Sequence, residues 1–228
     1  MNGPPVAAGA PPSVWHMYRA MVGVGLGCAV LIVSVYQFTA PVIAHNRAEA
    51  LRAAIFHVLP DARSSRSFRV APGDRFEAVE GEAPAGSRLV HAGYDEGGRL
   101  VGLAVEAEGM GYQDVIRVLY GYAFERDAVI GFQVLESRET PGLGDRIETD
   151  PAFLANFEHL DVSLDETGAA PLHPVESVKH GQKQHPWQVD GITGATISSV
   201  AIAAILRNST AWWIPRIRRS LDDFREAP

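Results

Sequence analysis

Two short stretches hold the residues with the most chemistry to offer: Asp190-Gly191-Ile192-Thr193-Gly194-Ala195-Thr196, continued by Ile197-Ser198-Ser199, and Glu139-Thr140-Pro141-Gly142-Leu143-Gly144-Asp145. In the first, Gly191, Gly194 and Ala195 keep bulk away from a threonine hydroxyl and let the backbone approach a ligand. The run from Thr196 to Arg207 is helical in composition, with hydroxyl residues at its start and arginine at its end. A hydroxyl in the first turn of a helix stands among backbone N–H groups that lack intrahelical partners, at the positive end of the helix dipole. That is a natural seat for a phosphate. The hydroxyls of Ser198 and Ser199 are expected to add hydrogen bonds to the anion. A plainer alternative is a glycine turn with a threonine N-cap. The second stretch reads as a tight turn after a strand, in which glycines supply positive φ.

Composition narrows the chemistry. The chain has 228 residues and a formal net charge of -7, with no long Lys/Arg run, so nucleic acid is excluded as a partner. Its one cysteine, Cys28, lies inside the apolar N-terminal run; the remainder offers no thiolate for zinc or iron–sulfur and can form no intramolecular disulfide. Redox chemistry would therefore need an organic cofactor. His180 and His185 lack the spacing of a helical metal pair, and no metal site is expected. No nucleophile–base set stands out, so no residue is assigned a catalytic role of its own. Asp190 reads as a helper beside the Thr196 turn, and Lys183 as a solvated lysine in preference to a phosphate partner. Tyr112, in Gly109-Met110-Gly111-Tyr112, is either a packing aromatic or a ring that stacks on a ligand.

These residues need elements to hold them. Residues 1–14, mostly Pro, Gly and Ala, read as a disordered tail. From Ala20 to Tyr36 there is no charge, and a helix from about Met21 to Ile43 spans the roughly 30 Å hydrocarbon layer, with Trp15, Tyr18 and Arg19 as interfacial anchors. Residues 15–45 are thus assigned as a single transmembrane anchor in the lipid bilayer, in preference to a cleaved signal peptide or a buried soluble helix. A second helix is expected over Arg47–Val58, and strands over Arg99–Ala107, Val118–Phe124 and Ala128–Leu135. Pro151–Phe157 reads as a short helix and Ala169–Pro186 as loop. The segment Trp212–Arg219 joins aromatics to a basic cluster, suited either to lipid or a partner, or to helix packing with a solvated basic face. Strands and helices without strict alternation predict an α+β domain over residues 46–228, ending in a C-terminal helix.

The Asp190–Thr196 stretch resembles the flavinylation motif, Asp-x-x-Ser/Thr-Gly-Ala-Ser/Thr, of FMN-binding subunits in Rnf and sodium-pumping NADH:quinone oxidoreductase complexes. The same subunits carry a Glu-Thr-Pro-Gly-Leu-Gly element beside the isoalloxazine ring. The resemblance covers nearly the whole chain and is nearer to the G subunit of the Rnf complex than to the C subunit of the quinone reductase. It implies covalent FMN, joined by a phosphodiester to Thr196. The cofactor-binding set is Thr196 with Glu139, Thr140, Gly142, Leu143, Gly144, Asp190, Gly191, Thr193, Gly194, Ala195 and Ser199. It further implies a bacterial inner-membrane protein with its domain on the periplasmic side, and a flavin transferase that installs FMN from FAD with release of AMP. The chain would then relay electrons among other membrane and peripheral subunits of an ion-translocating NADH:ferredoxin oxidoreductase, without independent catalytic activity. The alternatives are a C-type quinone-reductase subunit, a flavin-free tethered assembly scaffold, and a membrane-stalked FMN sensor.

Overall fold

The computed structural model describes residues 14–79 and 87–225, and the chain divides into two compact units, Met1–Glu49 and Ala50–Pro228. The expected disordered tail, residues 1–14, lies outside the described residues except for Val14. Helix α1 (Val14–Val58) is continuous, whereas the sequence suggested a membrane helix followed by a separate one. Pro41 inside it removes one backbone donor, but the Ala- and Leu-rich run Ala48–Ala54 restores helix propensity beyond the break. One 18-residue window of α1 has a mean hydropathy of 2.0 and none of it is buried. Apolar side chains face outward all round the helix, as hydrocarbon favours.

The second unit is built on a seven-stranded antiparallel sheet: β1 (Ser64–Ala71), β2 (Arg75–Ala78), β3 (Leu89–Tyr94), β4 (Leu100–Met110), β5 (Val115–Ala123), β6 (Ala128–Glu136) and β7 (Leu160–Asp161), in spatial order β2-β1-β3-β4-β5-β6-β7. Strands β4 and β5 fulfil the period-two reading, and β6 the reading from its Val, Ile and Phe content. The three strands before them escaped it, because Ser64–Ala71 alternates serine and arginine with only Phe68 fully buried. Two α-helices follow β6, α2 (Arg146–Thr149) and α3 (Pro151–Leu154), then one 3₁₀ turn at Ala155–Phe157. The Asp150 carboxylate caps α3 by accepting from the Ala152 and Phe153 N–H groups. Where loop was expected over Ala169–Pro186, Glu176–Val178 forms β8 and pairs in parallel with β9 (Gln188–Asp190). Three residues between Pro174 and Gly181 suffice for that ladder, although they are too few for a periodic signal.

Helix α4 (Thr196–Arg219) buries one face of the sheet, and the last turn of α1 buries the other. Successive residues divide between the faces: Leu103 and Val105 join the α4 cluster, while Ala104 joins Ala54, Ile55 and Val58. Burial on both sides explains why β5 is apolar at almost every position. The crossing with α1 is so close that a Cβ at Gly131 would stand 2.5 Å from the Val58 carbonyl oxygen, and Gly121 meets that same oxygen. α4 runs twelve residues beyond the expected Arg207, through Pro215. Its Trp213, Ile214 and Ile217 are buried, so the Trp/Arg segment packs within the domain. Its basic residues are engaged: Arg216 and Arg219 with Asp74, and Arg218 with the Phe124 carbonyl.

Candidate functional site: a cleft at the start of α4

Three segments distant in sequence converge at one end of the sheet. The β4–β5 hairpin turns at Gly111–Asp114, closed by Gly111 N–H donating to the Asp114 carbonyl at 2.9 Å. After β6 the chain turns at Thr140–Asp145, where the Thr140 carbonyl accepts from Leu143 at 3.1 Å and Asp145 at 3.4 Å. From β9 the chain passes through Gly191–Ala195 into α4. Between them lies a cleft of about 370 Å³. Of the sequence-predicted residues it gathers Glu139, Thr140, Leu143, Gly144, Gly194, Ala195 and Thr196, and it adds Tyr112, Ile197 and Ser198. A larger groove of about 640 Å³ lies elsewhere, beside Arg88, Arg117, Ile205 and Trp212. It contains no motif residue, and its arginines are engaged, Arg88 over the Trp212 ring and Arg117 with Glu106.

Thr196 is the first residue of α4 and is exposed. Ala195 occupies the N-cap position and supplies no side-chain cap, and among the described residues no side chain accepts from the opening N–H groups of the helix. This differs from the threonine N-cap alternative: the Thr196 hydroxyl has no hydrogen-bond partner among the described residues. Gly194, at φ +89°, turns the chain just before the helix in a conformation that other L-residues rarely adopt.

The neighbouring hydroxyls are spent. Ser199 Oγ donates to the Ala195 carbonyl at 2.9 Å and accepts from Ile192 N–H at 3.1 Å, cinching the turn from beneath. Ser198 Oγ donates to Glu139. Neither hydroxyl faces the cleft as a free donor to an anion, which departs from the sequence expectation. Both are buried because residues two and three beyond Thr196 rotate onto the sheet side of the helix.

The remaining predicted residues frame the cleft without lining it. Gly142 sits at the exposed tip of its turn at φ +76°. Gly191 packs against β8, where a Cβ would stand 3.0 Å from the Val178 carbonyl oxygen. The Thr193 carbonyl accepts from Arg146 at 3.0 Å, and Arg146 also pairs with Asp150 at 2.5 Å. Asp190 accepts from Gly181 N–H at 2.9 Å. Asn156, which carried no sequence signal, does the most to fix this strand. Its Oδ1 accepts from Asp190 N–H at 3.0 Å, and its Nδ2 donates to the Asp190 carbonyl at 3.1 Å. Lys183 is half-buried instead of solvated, because its ammonium donates to the same Asn156 Oδ1 at 3.1 Å. Burial lowers its pKa below the ordinary lysine value, against the opposing pull of Asp190.

A family model described as the FMN-binding domain matches residues 111–211, which contain all three cleft segments. Over 193 residues, 83% of this chain and 88% of the relative, the sequence is 32% identical to the G subunit of the ion-translocating oxidoreductase complex of Methanosarcina acetivorans. The chain belongs to this G-subunit family. Shorter matches to G subunits of the same complex reach 36% identity over 106 residues in Cereibacter sphaeroides (46% of this chain, 45% of that one) and 34% over 100 residues in Cronobacter sakazakii (43% of each). The fold is shared with two solved structures. One is the C subunit of the Na(+)-translocating NADH-quinone reductase of Parabacteroides distasonis, with a TM-score of 0.56 and 20% identity over 81% of this chain and 96% of that one. The other is NqrC of Shewanella oneidensis, at 0.52 and 17% over 80% and 97%. Membership in the G-subunit family and the long apolar helix together make this a membrane-anchored protein.

Proposed function

We propose that this chain is the FMN-carrying, electron-relaying subunit of an Rnf-type NADH:ferredoxin oxidoreductase, with FMN joined to Thr196 through a phosphodiester. The observation that carries the proposal is the Thr196 hydroxyl itself: exposed, unpartnered, on the wall of a cleft, at the uncapped start of a helix. The donor set fits the group. A cleft of about 370 Å³ falls within the usual range for small-molecule sites. The first-turn N–H groups of α4 and its dipole favour the one negative charge that a phosphodiester keeps. FMN, when bound, supplies one- and two-electron transfer.

The chain's own residues do the holding. Thr196 provides the attachment oxygen, which bonds to phosphorus as the pyrophosphate of FAD breaks, AMP leaves and the hydroxyl proton is released. A flavin transferase catalyses that exchange. Tyr112, Leu143 and Ile197, each more than half exposed, offer apolar surface at the cleft, and Thr140 a polar edge. Asp190, Gly191, Thr193 and Ser199 hold the turn that aims Thr196, and Gly142 gives the facing turn its shape. Residues 15–45 form the anchor, in a bacterial inner membrane, and residues 46–228 the periplasmic FMN-binding domain. Tether and covalent bond together keep the carrier near partner subunits without reliance on a binding equilibrium.

Intact mass of the protein matured beside its flavin transferase tests this. An added FMN phosphoryl group, mapped to the peptide that contains Thr196, is the expected result. A polypeptide with no addition overturns the proposal.

A further inference from the structure

Glu139 is 5% exposed, yet its carboxylate is not aimed into open space. One oxygen, Oε1, accepts from the backbone N–H groups of Tyr112 at 2.9 Å and Gln113 at 3.0 Å. The other, Oε2, accepts from the Ser198 hydroxyl. The surroundings are moulded to it: a Cβ at Gly111 would stand 2.5 Å from Oε1, and one at Gly144 would stand 2.6 Å from Oε2. One side chain thus locks the hairpin tip, the turn after β6 and the first turn of α4 together.

We propose that Glu139 is a positioning residue for cofactor attachment: by fastening Ser198 to the β4–β5 hairpin tip, it sets where α4 begins and leaves Thr196 as the hydroxyl presented to the cleft. This rests on the reading that Thr196 is the attachment point. Thr196 and Ser198 are both in the first turn of the helix, and either hydroxyl could in principle attack a phosphoryl group. Glu139 decides between them, because it takes the Ser198 hydroxyl as a hydrogen-bond donor and turns that side chain inward. A charge-assisted bond to a buried carboxylate is costly to break. A small displacement of the first turn would carry the Thr196 oxygen off the line of attack on phosphorus, and transfer rates are steep in such displacements.

The test uses full-length protein produced without flavin transferase, then incubated with the transferase and FAD while intact mass is followed in time. Glu139→Ala loads FMN at least about tenfold more slowly than wild type, because the first turn loses its fastening. Glu139→Gln stays within about threefold, since its amide still accepts from the hairpin and can bond to Ser198. Ser198→Ala, which removes only the helix side of the bracket, falls between the two. Tryptophan-fluorescence melts give the folded fraction of each variant. Wild-type loading by Ser198→Ala overturns the proposal, including when Glu139→Ala fails to fold, and so does an equal defect in Gln and Ala at position 139. Thr196→Val run alongside separates the two ideas: FMN on that variant refutes the attachment reading, whereas an unmodified Thr196→Val with normal loading of Ser198→Ala refutes only the role of Glu139.

Discussion

The two ends of α4 are built on opposite principles. At its C-terminal end every feature is answered within the domain. Ser220 N–H donates to the Arg216 and Ile217 carbonyls, Arg216 and Arg219 reach Asp74, and Trp213 stacks near Phe76, which in turn packs on Phe224. At the N-terminal end the N-cap is an alanine, no side chain among the described residues answers the first N–H groups, and Thr196 stands exposed. Helix ends are normally closed by the chain's own side chains, and a missing N-terminal cap costs about 1 kcal/mol. One helix thus closes its C-terminal end within the domain and leaves its N-terminal end, the proposed attachment point, without a side-chain cap.

The comparison is sharpest where function and stability come apart. Thr196→Val abolishes covalently attached FMN, read as loss of in-gel flavin fluorescence. Its stability remains within about 0.5 kcal/mol of wild type, because the hydroxyl makes no hydrogen bond among the described residues. Retained fluorescence would break the contrast. At the other end, Trp213→Ala costs about 3–5 kcal/mol in urea unfolding by emptying a buried aromatic site, while the molecules that remain folded still accept flavin at Thr196. Asn156→Ala sits between the two effects. Stripping the amide from both backbone groups of Asp190 costs about 1–3 kcal/mol and also slows flavin loading, since that strand leads into the proposed attachment turn. The smallest effect belongs to Asp74→Asn, a residue at φ 58° that asparagine tolerates. Its ion pairs with Arg216 and Arg219 are partly solvated, so the loss is below about 1 kcal/mol and shrinks with added salt.

Much of this was legible in the residues alone, and the reason differs by element. The anchor is visible because charge is absent over a length set by the bilayer. Strands β4 and β5 are visible because apolar residues recur at every second position along them, and β6 because it is rich in Val, Ile and Phe. The stretches around Glu139 and Thr196 are visible because glycines, a proline and a hydroxyl at fixed spacing satisfy a local backbone requirement. The strands β1 and β3 were hidden, since Ser67, Arg66 and His91 give no period-two apolar signal, and the pairing of Ser67 with His91 exists only once the strands meet. Lys183 and Asn156 were misread or missed for the same reason: the bond between them spans 27 residues.

By itself, then, the sequence determined which residue types are present, the membrane segment, and the local turn that ends at Thr196. Only the tertiary structure decided which hydroxyl of that turn is free. Thr196, Ser198 and Ser199 are alike in chemistry, but Glu139 arrives from 59 positions away to claim Ser198, and the carbonyl of Ala195 claims Ser199. Hydrogen bonds between distant segments are made in space, after folding has brought them together, and no local pattern encodes them.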